Sequence, residues 1–136
     1  MSEAPHRFFR TFVAEPSHID ELGHVNNAVW VQWIQDLATA HWDAAAREQD
    51  RAAFYWVVIR HEIDYRGNIA AGESALGTTW IEGEPRGAKS VRAVEFTREG
   101  GQRLVSARTT WAMLDKDSGR PARVRPDVIA PFMAAT

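Results

Sequence analysis

Hydrophobic residues recur with helical spacing over one long stretch that begins near residue 27. No proline or glycine interrupts the chain from Asn27 to about Glu48. This spacing predicts a long, mostly buried α-helix, with Asn26 or Asn27 as its N-cap. The broad apolar stripe consists of Val29, Trp30, Trp33, Ile34, Leu37, Ala38 and His41.

Shorter stretches show the period of two that is typical of β-strands. Residues 8–14 predict a first strand, which Pro16 ends, and residues 56–65 predict a second. In that second strand the alternation places Val57, Ile59, His61, Ile63 and Tyr65 on one face. Further strands are predicted over 75–82, 89–98 and 103–114, with a loop over 83–88, a hairpin turn over 99–102 and a short terminal helical turn over 128–133.

The predicted order is one strand, one long helix and four strands joined by short turns. Strands with such connections form an antiparallel sheet, and one apolar helix can cover one face of it. The sequence therefore predicts an α+β domain over residues 1–136, in which an antiparallel sheet wraps around one long central helix.

Composition narrows the class of protein. The chain has 136 residues, a net charge of -2 and no cysteine. The charge gives no reason to expect nucleic-acid binding, and the absence of cysteine excludes disulfides and thiolate nucleophiles. The N-terminal residues lack the apolar core of a signal peptide, and no apolar run approaches the roughly 20 residues that span a bilayer. We expect a cytoplasmic protein without membrane insertion.

Six tryptophans are unusual at this length. They predict a core and a subunit interface built from large rings, and one or two of them are also candidates for lining an apolar or aromatic substrate pocket.

The candidate chemistry lies in the polar turn just before the predicted helix. Asp20, Gly23, His24, Asn26 and Asn27 place a carboxylate, a flexible backbone position, an imidazole and two amides close to a helix N-terminus. The backbone N–H groups of a helix N-terminus are unsatisfied, and they can polarise a carbonyl oxygen while the carboxylate acts beside it.

The segment Asp20–Asn27, followed by Trp30 and Trp33, resembles the signature of hotdog-fold acyl-CoA thioesterases of the 4-hydroxybenzoyl-CoA thioesterase-like group. The resemblance implies a hotdog fold and a homodimer or homotetramer with active sites shared between subunits. It also implies that Asp20 is the catalytic carboxylate and that the backbone N–H of Asn27 polarises the thioester carbonyl.

Other positions complete the predicted site. His24 is a candidate second catalytic group, and Gly23, Asn26 and Trp30 are candidate substrate-binding residues. Relatives place coenzyme A (CoA)-binding groups where this chain has Arg86, Lys89 and Ser90, and we expect Arg92 and Arg98 to cluster near the same hairpin. Relatives often carry a glutamate at the position of Gln35, so no second carboxylate is expected there.

The chemistry of a thioester fits this small set of groups. Its thiolate leaves readily, so one carboxylate and one oxyanion donor suffice, without a cofactor beyond the CoA of the substrate. The substrate is predicted to be an acyl-CoA or acyl-carrier-protein thioester. His18, His24, His41 and His61 lack the spacing of a metal site, so none is predicted.

Two other functions remain open from the residues. A non-catalytic acyl-CoA-binding protein would bind the ester without releasing thiol. A hotdog hydratase or dehydratase would need an acid/base pair on the helix, where the only histidine is His41, far from the helix start.

Overall fold

The computed structural model describes residues 5–133, and within them five strands form one antiparallel sheet. Along the sheet the strands lie in the order β1-β3-β4-β5-β2, so β1 and β2 are the two edges. The predicted α+β class and the antiparallel sheet are confirmed. The strands are β1 (Phe8–Val13), β2 (Phe54–Tyr65), β3 (Ser74–Arg86), β4 (Lys89–Thr97) and β5 (Arg103–Asp115).

The predicted long helix is confirmed as α1, Asn27–Ala45. It ends a few residues before the predicted Glu48, because the backbone becomes extended at Ala46. The Arg51 guanidinium donates to the carbonyl oxygens of Ala46 (2.6 Å) and Asp43 (3.2 Å), which satisfies acceptors that the helix end leaves free. The short helices α2 (Glu48–Ala53), which the sequence did not predict, and α3 (Pro126–Ile129) complete the structure, with 3-10 turns at Pro16–His18 and Ala130–Phe132.

Two details of the predicted strands are wrong. Strand β3 continues through most of the predicted 83–88 loop, since its pairing with β4 resumes at Arg86 and Lys89 after an irregularity. In β2, a β-bulge at Ile59 breaks the alternation: Val58 pairs with Trp111, and Arg60 pairs with the next residue, Thr110. The bulge moves Val57 to the same face as Arg60, away from His61, because an extra residue reverses the facing of what precedes it.

One face of the sheet packs against α1, and Gly77 in β3 lies where the two approach most tightly. A Cβ at this position would lie 2.9 Å from Leu37 Cδ2, 3.0 Å from Phe96 Cε1 and 3.1 Å from Phe12 Cε2. Leu37 and Phe96 are fully buried. The absence of a side chain at residue 77 is therefore what lets the helix sit against the sheet.

We expect Gly77→Ala to destabilise the fold by about 1–3 kcal/mol, because the added methyl group overpacks a rigid part of the core. Urea unfolding followed by circular dichroism measures the change. Leu76→Met, a volume-conserving change at the adjacent, 40% exposed position, is the matched control and should stay within about 0.5 kcal/mol of wild type. Equal stability of Gly77→Ala and wild type would contradict the tight packing.

Candidate active site

The turn before α1 is held by the backbone and by one oxygen of Asp20. Asp20 Oδ1 accepts hydrogen bonds from the N–H of Leu22 (2.9 Å) and of His24 (3.2 Å). The backbone closes the same loop, with Asp20 N–H donating to the His24 carbonyl oxygen at 2.8 Å and Gly23 N–H to that of Asp20 at 3.0 Å. Gly23 has φ +80°, a conformation that glycine adopts without strain. Among residues 5–133, no hydrogen bond occupies Asp20 Oδ2, so this oxygen is available for chemistry.

Asn68, in the loop between β2 and β3, fixes the turn to the rest of the fold. Its Oδ1 accepts from Val25 N–H at 3.0 Å, and its Nδ2 donates to the Val25 carbonyl oxygen at 3.2 Å. The carbonyl oxygen of Asn68 in turn accepts from the Arg98 guanidinium. The sequence gives no sign of this role for Asn68, because its partner lies 43 positions away.

Helix α1 begins with one free donor. Asn26 is the N-cap, as predicted, and its Oδ1 accepts from Ala28 N–H at 2.9 Å. For the N–H of Asn27, the first helical residue, no acceptor is found within residues 5–133. Asn27 is exposed, so a ligand can reach this donor.

The other residues predicted near the turn have different environments. The His24 side chain is exposed and has no hydrogen-bond partner in the described part of the chain, whereas its backbone closes the turn. Trp30 is fully buried in the core, with its ring 5.1 Å from that of Trp33 and 5.2 Å from that of Phe96. His18 accepts from Glu15 N–H at 3.0 Å through Nδ1.

The hairpin cations lie at the opposite end of the sheet. Arg86 and Lys89 pair at the exposed end of the β3–β4 hairpin, while the turn follows Val13, whose partner Ser74 begins β3. Helix α1 has 19 residues and is therefore about 28 Å long, and it runs from the Asp20 turn toward the end of the sheet that carries the hairpin. One protomer therefore does not bring the Asp20 turn and this hairpin together.

The predicted cluster of Arg92 and Arg98 around this hairpin is wrong. Arg98 lies at the other end of β4 beside Asn68, and Arg92 is buried. The alternation of β4 turns Arg92 to the inner face of the sheet, which a charged residue in a strand gives no reason to expect.

A cavity of about 290 Å³ opens at the same end of the sheet as the hairpin, between the C-terminal half of α1 and strands β2 to β5. Ser90 lines it, so this predicted residue does lie at a pocket. Tryptophans line this cavity, as expected: the three are Trp42, Trp56 and Trp111. These were missed as individual residues because only their contacts distinguish them from the core tryptophans.

Arg92, His41 and His6 form a chain of hydrogen bonds beside the cavity, which runs from the buried Arg92 and His41 to the exposed His6. Arg92 Nη1 lies 2.8 Å from His41 Nδ1, and His41 Nε2 lies 3.3 Å from His6 Nδ1. Because a guanidinium only donates, Nδ1 of His41 must accept and Nε2 must carry the proton. Burial, chiefly, and the charge of Arg92 lower the pKa of His41 to about 3, so the ring is neutral at pH 7. This arrangement leaves His41 no role as a hydratase acid or base.

Comparison with known proteins gives the family. The family model for the acyl-ACP thioesterase N-terminal domain matches residues 6–132, where ACP denotes acyl carrier protein. The chain belongs to this thioesterase family. It is an acyl thioester hydrolase with the hotdog fold, which confirms the resemblance drawn from the Asp20–Asn27 segment.

The relatives include both CoA and ACP thioesterases. A protein called putative acyl-CoA thioesterase YneP, from Bacillus subtilis, is 26% identical over 117 residues, which cover 82% of this chain and 80% of YneP. The crystal structure of Slr0204, a 1,4-dihydroxy-2-naphthoyl-CoA thioesterase from Synechocystis, matches with a TM-score of 0.78 and 14% identity over 93% of this chain and 95% of that one. An acyl-ACP thioesterase from Bacteroides thetaiotaomicron matches with a TM-score of 0.80 and 21% identity, over 96% of this chain and 54% of that chain.

No helix within residues 5–133 has the length and apolar character needed to cross a bilayer. In the same range, no three histidine, aspartate or glutamate side chains converge as metal ligands would.

The lowered pKa of His41 makes stability depend on pH. Between about pH 3 and the ordinary value of 6.5 the unfolded chain binds a proton that the folded chain does not, so stability falls as pH decreases through this window. One such proton contributes a slope of at most about 1.4 kcal/mol per pH unit. We expect urea unfolding between pH 7 and 4 to show a smaller slope for His41→Asn than for wild type. Thr79→Val, which alters the same buried network without removing a titrating group, should keep the wild-type slope; equal slopes for wild type and His41→Asn would contradict this assignment.

Proposed function

We propose that Asp20 activates water, or attacks directly, at the carbonyl carbon of an acyl-CoA or acyl-ACP thioester, while the Asn27 N–H stabilises the oxyanion. The observation that carries this proposal is the geometry of the turn. Asp20 Oδ1 accepts hydrogen bonds from two amides, whereas neither Oδ2 nor the first N–H of the following helix has a partner among residues 5–133. In the water route the C–S bond breaks, and the thiolate leaves and takes up the proton removed from water. In direct attack Asp20 displaces the thiolate to form a mixed anhydride, which water then hydrolyses to the free acid, supplying the proton that the thiolate takes up. Neither route needs a cofactor.

The remaining residues of the turn have supporting roles in this proposal. Gly23 lets the loop adopt its shape close to substrate. Asn26 caps the helix by accepting a hydrogen bond from the N–H of Ala28, which leaves the N–H of Asn27 for the substrate. His24, exposed beside Asp20, is a candidate for proton transfer to the leaving thiolate. The fully buried Trp30 supports the helix start from below, and its contribution to substrate binding is indirect.

We further propose that the active unit is a homodimer formed through β2. This 12-residue strand is an edge of the sheet, and its outer side has no partner strand within residues 5–133. Exposed apolar side chains occur along it, with Ile59 52% exposed and Tyr55 39% exposed. A long apolar edge strand invites pairing with another chain, and a second copy is the simplest partner.

Such pairing would assemble one site from two protomers. In a two-fold symmetric antiparallel pair, the Tyr65 end of one β2 lies beside the Phe54 end of the other. The Asp20 turn lies near the Tyr65 end, since Asn68 binds Val25, whereas Phe54 itself lines the cavity. The partner's catalytic turn would therefore lie at the mouth of this protomer's cavity, with Ser90 inside it and Arg86 and Lys89 placed for the phosphates of CoA.

An acyl group would then occupy the tryptophan-lined cavity. Its volume of about 290 Å³ is at the lower end of the range of ligand pockets, about 300–1,000 Å³, which favours a short or single-ring acyl group. We place the enzyme in the cytoplasm, where acyl thioesters are made; the lack of cysteine is compatible with this reducing compartment.

Asp20→Asn tests the catalytic carboxylate. The amide oxygen can still accept from Leu22 and His24, so the turn should persist, while kcat for release of free thiol should fall about 100- to 10,000-fold. Thiol release from a panel of short, long and aromatic acyl-CoA substrates measures the effect. Glu21→Gln, at the exposed neighbouring position, is the matched control and should keep wild-type kcat. Wild-type rates in Asp20→Asn would refute the role of Asp20, and binding without thiol release by wild type would favour a binding protein.

Ile59→Lys tests the β2 interface. A charge at the centre of the paired edge should convert the dimer to a monomer in light scattering and abolish thiol release, because each site needs both protomers. Phe9→Lys, at a 56% exposed position on the opposite edge strand β1, is the control and should leave the β2 pairing and the activity intact. An active Ile59→Lys monomer would contradict the shared site.

A further inference from the structure

In the part of the chain that the structure describes, Arg92 is a buried cation without a counter-ion. Its side chain lies on β4, only 8% exposed, and lines the cavity. Nη1 donates to His41 Nδ1 at 2.8 Å and to Thr79 Oγ1 at 3.2 Å. Within residues 5–133, no carboxylate oxygen lies within 4.0 Å of this guanidinium.

This arrangement holds the guanidinium in place but does not neutralise it. Burial lowers the pKa of Arg92 to about 10, so the group still carries its charge at pH 7. His41 is neutral, and the Thr79 hydroxyl uses its proton on the Ala93 carbonyl oxygen at 2.8 Å, so both groups act as acceptors toward Arg92 and neither carries a negative charge. Burying a charge without an opposite charge nearby costs free energy. The presence of Arg92 in a core strand therefore points to a ligand that supplies the opposite charge.

The guanidinium of Arg92 still has donors that no acceptor in the described part of the chain occupies. Both hydrogen bonds of Arg92 use Nη1, which leaves Nε and Nη2 for a ligand. The lining also includes Arg51 and Lys116 but only one acidic residue, Asp43.

Arg51 and Lys116 are already engaged with the backbone. Arg51 donates to the Ala46 carbonyl oxygen at 2.6 Å, and Lys116 Nζ donates to that of Arg51 at 2.7 Å. Both side chains are themselves cations, so neither neutralises the charge of Arg92. The cavity is thus lined by aromatic rings and carries more positive than negative side chains.

We propose that the cavity binds an acyl group that carries a carboxylate at the end remote from the thioester, and that Arg92 is the residue that selects it. This inference rests on the proposed placement of the acyl group in the cavity. The tryptophans would contact the methylene or ring portion, and the carboxylate would receive the free Nε and Nη2 donors of Arg92 in the paired geometry that guanidinium groups favour.

The test compares adipyl-CoA with hexanoyl-CoA, which have the same chain length and differ by the terminal carboxylate. Wild type should prefer adipyl-CoA in kcat/KM, and Arg92→Met should reduce that preference about 10- to 100-fold, because a hydrogen-bonded charge pair is lost. Arg92→Lys, which keeps the charge, should retain part of the preference. Arg103→Met, which removes an exposed arginine on β5, should leave the preference unchanged.

A second readout separates this inference from the proposed reaction. Calorimetric titration of wild type and Arg92→Met with the same two esters measures binding whether or not thiol is released. Tighter binding of adipyl-CoA that is lost in a folded Arg92→Met supports the inference even if hydrolysis fails. An equal preference in wild type and Arg92→Met, by either readout, overturns it and leaves the thioesterase function standing.

Discussion

The path of the chain from β1 to β2 determines the positions of α1, the Asp20 turn and the cavity. These two strands form opposite edges of the sheet, so the segment between them must cross a face of it. That segment carries α1, and the crossing is possible at close range because Gly77 has no side chain. Because α1 runs along the sheet, its two ends lie far apart. Its N-terminus, with Asp20 and the Asn27 amide, lies at one end of the sheet, and the cavity lies at the other.

This separation is why pairing through β2, which has no partner strand on its outer side within residues 5–133, matters for the proposed site. The proposed carboxylate, Asp20, and the proposed acyl pocket must lie within the length of one substrate, but a single protomer holds the turn and the cavity at opposite ends of the sheet. Antiparallel pairing of two β2 strands would solve the problem by symmetry, because it places each catalytic turn beside the partner's cavity. The bulge at Ile59 lies at the middle of that edge, where the symmetry axis would pass.

Much of the fold, and the cap at the start of α1, could be predicted from local sequence. The spacing of apolar residues defined α1, and Asn26 was recognisable as a cap because capping depends on neighbours two or three residues away. The bulge in β2 could not be seen, since alternating and bulged strands with mixed residues look alike. Arg92 was misread as part of a surface cluster, because its burial depends on His41 and Thr79, which lie 51 and 13 positions away. The signal that did exist was its place in β4 between Val91 and Ala93, on the face shared with Ser90 and Val94.

In the proposed dimer each active site combines the Asp20 turn of one protomer with the cavity of the other, and hybrid dimers test this arrangement most directly. Asp20→Asn removes the carboxylate, and Thr39→Trp fills the cavity from an exposed position on α1. Each variant alone should be inactive. After mixing, unfolding and refolding at equal concentrations, half of the dimers are hybrids with one intact site, so thiol release should recover to about a quarter of the wild-type rate. Mixtures that stay as inactive as the separate variants, although hybrid dimers form, would contradict the shared site.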